Sequence, residues 1–380
     1  MKSRFLLVLF SVLALAVLVL AACQPAPAAP EKVVETVVVE KEVEKVVEKT
    51  VVVEKEAQDP MTVAKEFLKG KKICSVLPGP VNDAGWTTSA YNGLVNLRDN
   101  WGMEIAYREE TKVEEAEAVM REYAEAGCHI IHAHGFEYAD QINAVAKEYP
   151  DIQFLQTSRC SGQEPNVIGL CYSTGEGGYF VGMQMAALTK TGKTAFIVGQ
   201  SYPNLDWQPE MARQAVKDLG KNVQVDEVAV GSWNDPAKAK ELTKALIEQG
   251  YDVFVLLADA GDVGTVEALK EAREAGKEVW GISWVKDKNY LAPEFVLGGW
   301  EERVWKQMEN GAVAFALNGK PVGKGMPQGV ADGVVTLNPT YGLLPPEAEK
   351  QVFDLFHKYQ QEGQSAIPNL VVPVSYTHLT

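Results

Sequence analysis

Clustered basic residues are what this sequence most lacks: 36 Lys and Arg stand against 51 Asp and Glu, a formal net charge of −15. Proteins that hold nucleic acid group their cations against phosphates, so no nucleic-acid partner is expected. Histidine is scarce, at five residues, and no His/Cys spacing matches a zinc site. Neither a Gly-x-Ser-x-Gly nucleophile elbow nor a phosphate-cradling Gly-x-x-x-x-Gly-Lys-Ser/Thr loop occurs. The chain therefore reads as a non-enzyme with no cofactor. Long apolar runs are absent except for one, residues 5–22, and no later segment reaches the roughly twenty apolar residues of a membrane span.

That single run decides the compartment. Lys2 and Arg4 precede it and Leu20-Ala21-Ala22-Cys23 closes it, the order of a secretory signal. The small residues before Cys23 resemble a bacterial lipoprotein signal, which implies that residues 1–22 are removed and that Cys23 carries a lipid anchor to the membrane. A retained transmembrane anchor is the alternative, and both leave the rest of the chain outside the cytoplasm. About 358 residues then remain, with 46% apolar content over the whole sequence, more than one core usually serves, so two lobes are expected.

Residues 23–60 read as a spacer, Pro/Ala-rich over 25–30 and then almost only Val, Glu, Lys and Thr over 31–56. The heptapeptide at 36–42 recurs at 50–56, a two-heptad period open to two readings, a short coiled-coil stalk or a charged tether. From residue 61 onward, short apolar runs alternate with helix-period segments. Strands are expected at 72–77, 104–107, 129–133, 153–156 and 167–171, with helices at 88–100, 113–126 and 138–148 between them. A helix at 176–189 leads into a second series: strands at 194–198, 224–230, 253–257 and 278–282, and helices at 211–219, 236–248 and 263–275. A helix at 301–317, a strand at 333–337 and a helix at 347–361 follow. This rhythm predicts an α/β fold of two doubly wound, Rossmann-like lobes. The expected division gives 61–175 and 300–320 to the N-terminal lobe and 176–299 and 321–374 to the C-terminal lobe. The tail, 375–380, carries no pattern and looks like translated vector sequence.

Beyond Cys23 four cysteines remain. Cys160 and Cys171 flank a short polar stretch and could close a loop as a disulfide in an oxidising compartment. Cys74 and Cys128 lie in apolar runs and read as buried free thiols.

In parallel α/β sheets, ligands sit beyond the carboxyl ends of the strands. The first such loop, 78–86, joins flexible Gly79 and Gly85 and rigid Pro78 and Pro80 to Asn82, Asp83 and Trp86. Asn82 and Asp83 offer hydrogen bonds and Trp86 a flat wall, although Asp83 also suits a helix N-cap. Asp235 before Pro236 reads as an N-cap with a first-turn proline.

The string Gly79-Pro80-Val81-Asn82-Asp83-Ala84-Gly85-Trp86 resembles the first binding loop of the basic membrane protein family of solute-binding lipoproteins. Further matches keep the family's order: Phe136 with Tyr138, Glu176-Gly177-Gly178-Tyr179, Ser232-Trp233-Asn234-Asp235-Pro236, Gly250-Tyr251-Asp252-Val253 leading to Asp259, and residues 329–335. The resemblance spans about residues 71–361. It implies a type I periplasmic binding protein fold with the ligand in a cleft between the lobes, an ABC importer whose permease is the partner, and a purine base or nucleoside as ligand. A purine is a flat π-system with donors and acceptors on its edge, suited to aromatic walls and a few polar groups. The residues expected to bind it are Asn82, Asp83, Trp86, Phe136, Tyr138, Tyr179, Trp233, Asp259, Ser283 and Trp284. Nucleoside-binding relatives carry an Asp for the ribose hydroxyls after the strand at 278–282, where this chain has Ser283 and Trp284. That departure favours a base over a nucleoside. A sensory receptor reporting the ligand to a membrane protein is the alternative function.

Overall fold

The computed structural model describes residues 59–172, 175–201 and 207–367. The apolar run 5–22 and Cys23, the heptad-spaced segment and the 375–380 tail lie outside the described residues.

Helix α1 (Pro60–Leu68) opens the globular part, followed by β1 (Lys72–Val76), α2 (Trp86–Trp101), β2 (Glu104–Arg108), α3 (Val113–Glu125), β3 (Ile130–His134), α4 (Ala139–Glu148), β4 (Gln153–Thr157) and β5 (Val167–Tyr172). The second series is α5 (Glu176–Leu188), β6 (Lys193–Val198), α6 (Trp207–Asp218), β7 (Gln224–Ala229), α7 (Pro236–Glu248), β8 (Val253–Leu257), α8 (Asp262–Glu274), β9 (Trp280–Val285) and β10 (Val296–Glu302). The chain then runs through α9 (Val304–Asn318), β11 (Lys324–Gln328), β12 (Val335–Leu337) and α10 (Pro346–Glu362).

The strands form two six-stranded sheets, ordered β11-β5-β4-β3-β1-β2 and β12-β10-β9-β8-β6-β7. Pairing is parallel throughout, except that β12 runs antiparallel to β10. Parallel strands covered on both faces are apolar along their length, and β3, β4 and β8 are buried at every position. Each sheet has one apolar core per face. In the first lobe, Leu94, Leu97, Met308 and Phe315 fill one and Val119, Met120, Ile142 and Phe154 the other. Phe180, Trp300 and Phe356, and then Leu246, Phe254 and Leu269, do the same for the second lobe.

The order 2-1-3-4-5 appears in both sheets, with β1 beside β3 and β6 beside β8 at the point where the winding reverses. Loops diverge there and leave a crevice beyond the carboxyl ends. Three segments cross between the lobes, after β5, after β10 and after β11.

Three expectations are corrected. Strand β11 pairs with β5, so residues 324–328 belong to the first lobe and not, as the expected division had it, to the C-terminal lobe. The sequence Lys-Gly-Met-Pro-Gln lacks alternation, and its proline is tolerated because the strand is at the sheet's edge. Strand β10 was not expected, and it runs through Glu302, so the helix begins at Val304 and not at residue 301, and residues 300–302 belong to the second sheet. Glycines 298 and 299 hide β10 in the sequence, because a Cβ there would lie 2.1 Å from the Pro339 carbonyl and 2.0 Å from that of Ser283. Cys74 and Cys128 are not free thiols but form a disulfide, with Cα atoms 6.0 Å apart across 54 residues. Neighbouring β1 and β3 bring them together. Cys160 and Cys171 are joined as well, with Cα atoms 4.9 Å apart.

Candidate functional site

The crevice is best built from the first residues of α2. An N-terminal helical turn leaves backbone N–H groups without intrahelical partners, and Asp83 takes most of them. Its carboxylate accepts from the N–H of Gly85 at 2.9 Å, of Thr87 at 2.8 Å and of Thr88 at 2.9 Å, and from the Thr88 hydroxyl at 2.8 Å. The remaining donor, the Trp86 N–H, reaches Asp259 of the second lobe, whose Oδ1 accepts at 3.2 Å. One helix is thus capped from both lobes. This contact joins the two lobes, and Gly85 makes it sterically possible: a Cβ there would lie 2.1 Å from Asp259 Oδ1.

Asp259 sits two residues after the end of β8 with φ +51°, in the left-handed region that Asp tolerates better than most residues. Burial pushes its carboxyl up to about 7; the nearby Asp83 charge adds to the shift and Lys288 opposes it. Lys288 is buried, and its Nζ donates to Asp262 at 2.5 Å, to the Trp284 carbonyl at 2.9 Å and to the Leu256 carbonyl at 3.1 Å. Those three acceptors use all its protons, so its charge is neutralised within the second lobe.

The Trp86 indole is half-buried and stacks on His134, the last residue of β3, with ring centroids 4.5 Å apart and planes 24° apart. His134 Nε2 lies 3.0 Å from the Trp86 carbonyl. A carbonyl can only accept, so Nε2 carries the proton and Nδ1 is a bare acceptor; that atom is buried with no partner. Burial lowers the imidazole to about 4, which keeps it neutral near pH 7. Behind it, His132 bridges Ser75 at 2.8 Å and Thr157 at 2.6 Å.

Toward the crossings, the Tyr172 ring stands edge-on to Trp86 at 6.3 Å. Tyr172 shares a small cavity with Glu176, Gln208, Trp300, Glu302 and Val335, with room for roughly one water. The Glu302 carboxyl, raised to about 7 by burial, accepts from Trp284 Nε1 at 3.2 Å.

The expected binding residues divide accordingly. Trp86, Asp83 and Asp259 meet at the head of α2, whereas Trp284 is buried in the core of the second lobe, edge-on to Phe196, with its Nε1 donating to Glu302. Trp233 is half-buried beside the Asp259 turn, its carbonyl accepting from the Gly261 N–H at 3.2 Å and its indole packed on Gly199. Phe136 lies at the rim, 47% exposed, and Asn82 is exposed on its loop. Three residues stand apart. Tyr138 is wholly buried in the first lobe and donates to the Thr111 carbonyl at 2.5 Å. Tyr179 packs beside Phe180 and donates to Asp218 at 3.1 Å. Ser283 donates to the Leu297 carbonyl at 3.0 Å and accepts from the Lys288 N–H at 2.9 Å. Asp235 caps α7 as expected, accepting from the Lys238 N–H at 2.9 Å.

Sequence reasoning missed His134, Tyr172 and Glu302. Their shared signal is position, since each is the last residue of a strand that ends at the crevice.

Two six-stranded, mostly parallel lobes, crossed three times and meeting at such a crevice, have the type I periplasmic binding protein fold. Residues 70–375 match the family described as ABC transporter substrate-binding protein PnrA-like, and the chain belongs to it. It is 27% identical over 307 residues to the transcriptional activator protein Med of Bacillus subtilis, covering 78% of this chain and 91% of that one. A purine-binding protein of Brucella abortus is 24% identical over 282 residues, 73% of this chain and 78% of that one. Among solved structures, an ABC transporter solute-binding protein from Aeropyrum pernix superposes with a TM-score of 0.64 at 18% identity, covering 76% and 86% of the two chains.

Proposed function

We propose that the chain is the capture subunit of an ABC importer, anchored outside the cytoplasm through a lipid on Cys23, and that its lobes close on a purine-type ligand. The observation that carries this reading is the Trp86 indole. It is an aromatic wall at the carboxyl end of the first sheet, and an acceptor from the second lobe reaches its own backbone. Flat ligands gain from such walls, with ring stacking worth about 1–3 kcal/mol, while acceptors around the wall fix the orientation. Closure requires that the ligand interact differently with the open and closed forms. A site shared by Trp86 and Asp259 meets that condition.

A base fits better than a nucleoside. Ser283 and Trp284 stand where a ribose-binding carboxylate would, and both are engaged, Ser283 with Leu297 and Lys288 and Trp284 with Glu302. The purine-binding relative of Brucella abortus supports the ligand class. The relative named as a transcriptional activator favours a second reading, a receptor that reports its ligand to a signalling partner. Titration calorimetry of the mature chain against purine bases, nucleosides, hexoses and amino acids tests the assignment. Heat from a purine base supports it; heat from a hexose with none from any purine overturns it. Uptake of a labelled purine that depends on the chain distinguishes import from reporting.

A further inference from the structure

The hinge end of the crevice holds two polar side chains that none of the expected binding residues accounts for. Tyr172 ends β5 and Glu302 ends β10, so the two stand where the chain crosses between lobes. Both line the cavity beside Trp300 and Gln208. The Tyr172 hydroxyl is buried with no hydrogen-bond partner. A buried hydroxyl left unpaired costs on the order of a lost hydrogen bond, so a polar ligand atom that displaces the cavity's water gains by meeting it. Glu302 spends Oε1 on Trp284 Nε1, and an ionised carboxylate has acceptor capacity on both oxygens. The hydroxyl's ring stands edge-on to Trp86 at 6.3 Å, which sets Tyr172, and the cavity it shares with Glu302, beside the indole wall.

Resting on the purine reading above, we infer that Tyr172 and Glu302 read the edge of the ligand and select an amino-substituted heterocycle. Glu302 accepts from the exocyclic N–H, and the Tyr172 O–H donates to the adjacent ring nitrogen. Adenine presents that donor–acceptor order; hypoxanthine presents a carbonyl oxygen in place of the amino group. Sites built to satisfy such a pair discriminate strongly, because the wrong partner leaves a buried polar group unmatched.

Glu302→Gln is the sharp variant. Its amide oxygen still accepts from Trp284, while its NH2 now faces the ligand and favours a carbonyl over an amino group. Adenine and hypoxanthine are titrated into the mature chain at about pH 8.5, above the value of about 7 to which burial raises the Glu302 carboxyl. In Glu302→Gln the adenine-to-hypoxanthine affinity ratio falls at least about tenfold, and Tyr172→Phe weakens adenine binding, with melting temperatures preserved in both. An unchanged ratio in Glu302→Gln overturns the inference while the purine reading stands, as does wild-type adenine affinity in Tyr172→Phe. Failure of the wild-type chain to bind adenine overturns the inference, and failure with every purine base and nucleoside overturns the purine reading as well.

Discussion

Gly85→Ala tests how the lobes close. The added Cβ would lie 2.1 Å from Oδ1, 2.8 Å from Cγ and 3.1 Å from Cβ of Asp259. Comfortable contacts to carbon need about 3.5–4.0 Å, and rotating the carboxylate does not relieve the crowding at Cβ. The lobes must therefore stop about 1 Å short, or Asp259 must abandon the Trp86 N–H. Overpacking of this kind costs about 1–3 kcal/mol, here charged only to the closed form because the two residues belong to different lobes. A closed form penalised by that amount lowers apparent affinity by about 5–150-fold. Calorimetry with a purine base reads the affinity, and small-angle scattering reads the lost compaction without reference to ligand. Asp259→Gly removes the obstructing atoms and accepts the φ of +51°, so the double variant Gly85→Ala/Asp259→Gly recovers closure relative to Gly85→Ala alone. Wild-type affinity and compaction in Gly85→Ala would refute the reasoning.

Trp86→Ala weakens purine binding by about 1–3 kcal/mol if the ring stacks on the ligand; unchanged affinity in a folded variant returns the indole to a packing role. Asp259 and Glu302 are both raised to about 7, so the folded chain binds more protons than the unfolded one between the ordinary carboxylate range and about pH 7. Their destabilising contribution is absent below that window and complete above it, so the melting temperature falls from pH 5 toward pH 8, and Asp259→Asn flattens the fall and gains stability at the alkaline end. A flat wild-type profile would contradict the assignment of these groups. Removing the Cys74–Cys128 bridge, which spans 54 residues, with paired Ser substitutions costs about 2–4 kcal/mol in guanidinium unfolding; no loss would mean that the bridge does not constrain the unfolded chain.

What the sequence made legible follows from periodicity. The alternation of apolar runs with helical segments placed nine of the twelve described strands within a residue or two, because buried parallel strands are apolar throughout and their helices amphipathic. The edge strand β11 was hidden by Pro327, and β10 by glycines selected for close backbone approach. The role of Asp83 at the start of α2 was legible because short polar residues before a helix serve local turns and caps. Cross-sheet relations were not: the Cys74–Cys128 bridge joins neighbours that are remote in sequence. Tyr138 and Tyr179 illustrate the same limit, since composition does not fix which way an aromatic side chain turns, and both face a core. Tyr172 and Glu302 carry no motif and acquire meaning only where two crossings meet.

Co-crystallisation with adenine tests the central claim most directly. The account predicts the purine ring against the Trp86 indole, enclosed by both lobes, with its amino edge within hydrogen-bonding distance of Glu302 and Tyr172. A ring bound outside the crevice, or held by one lobe without touching Trp86, would contradict it.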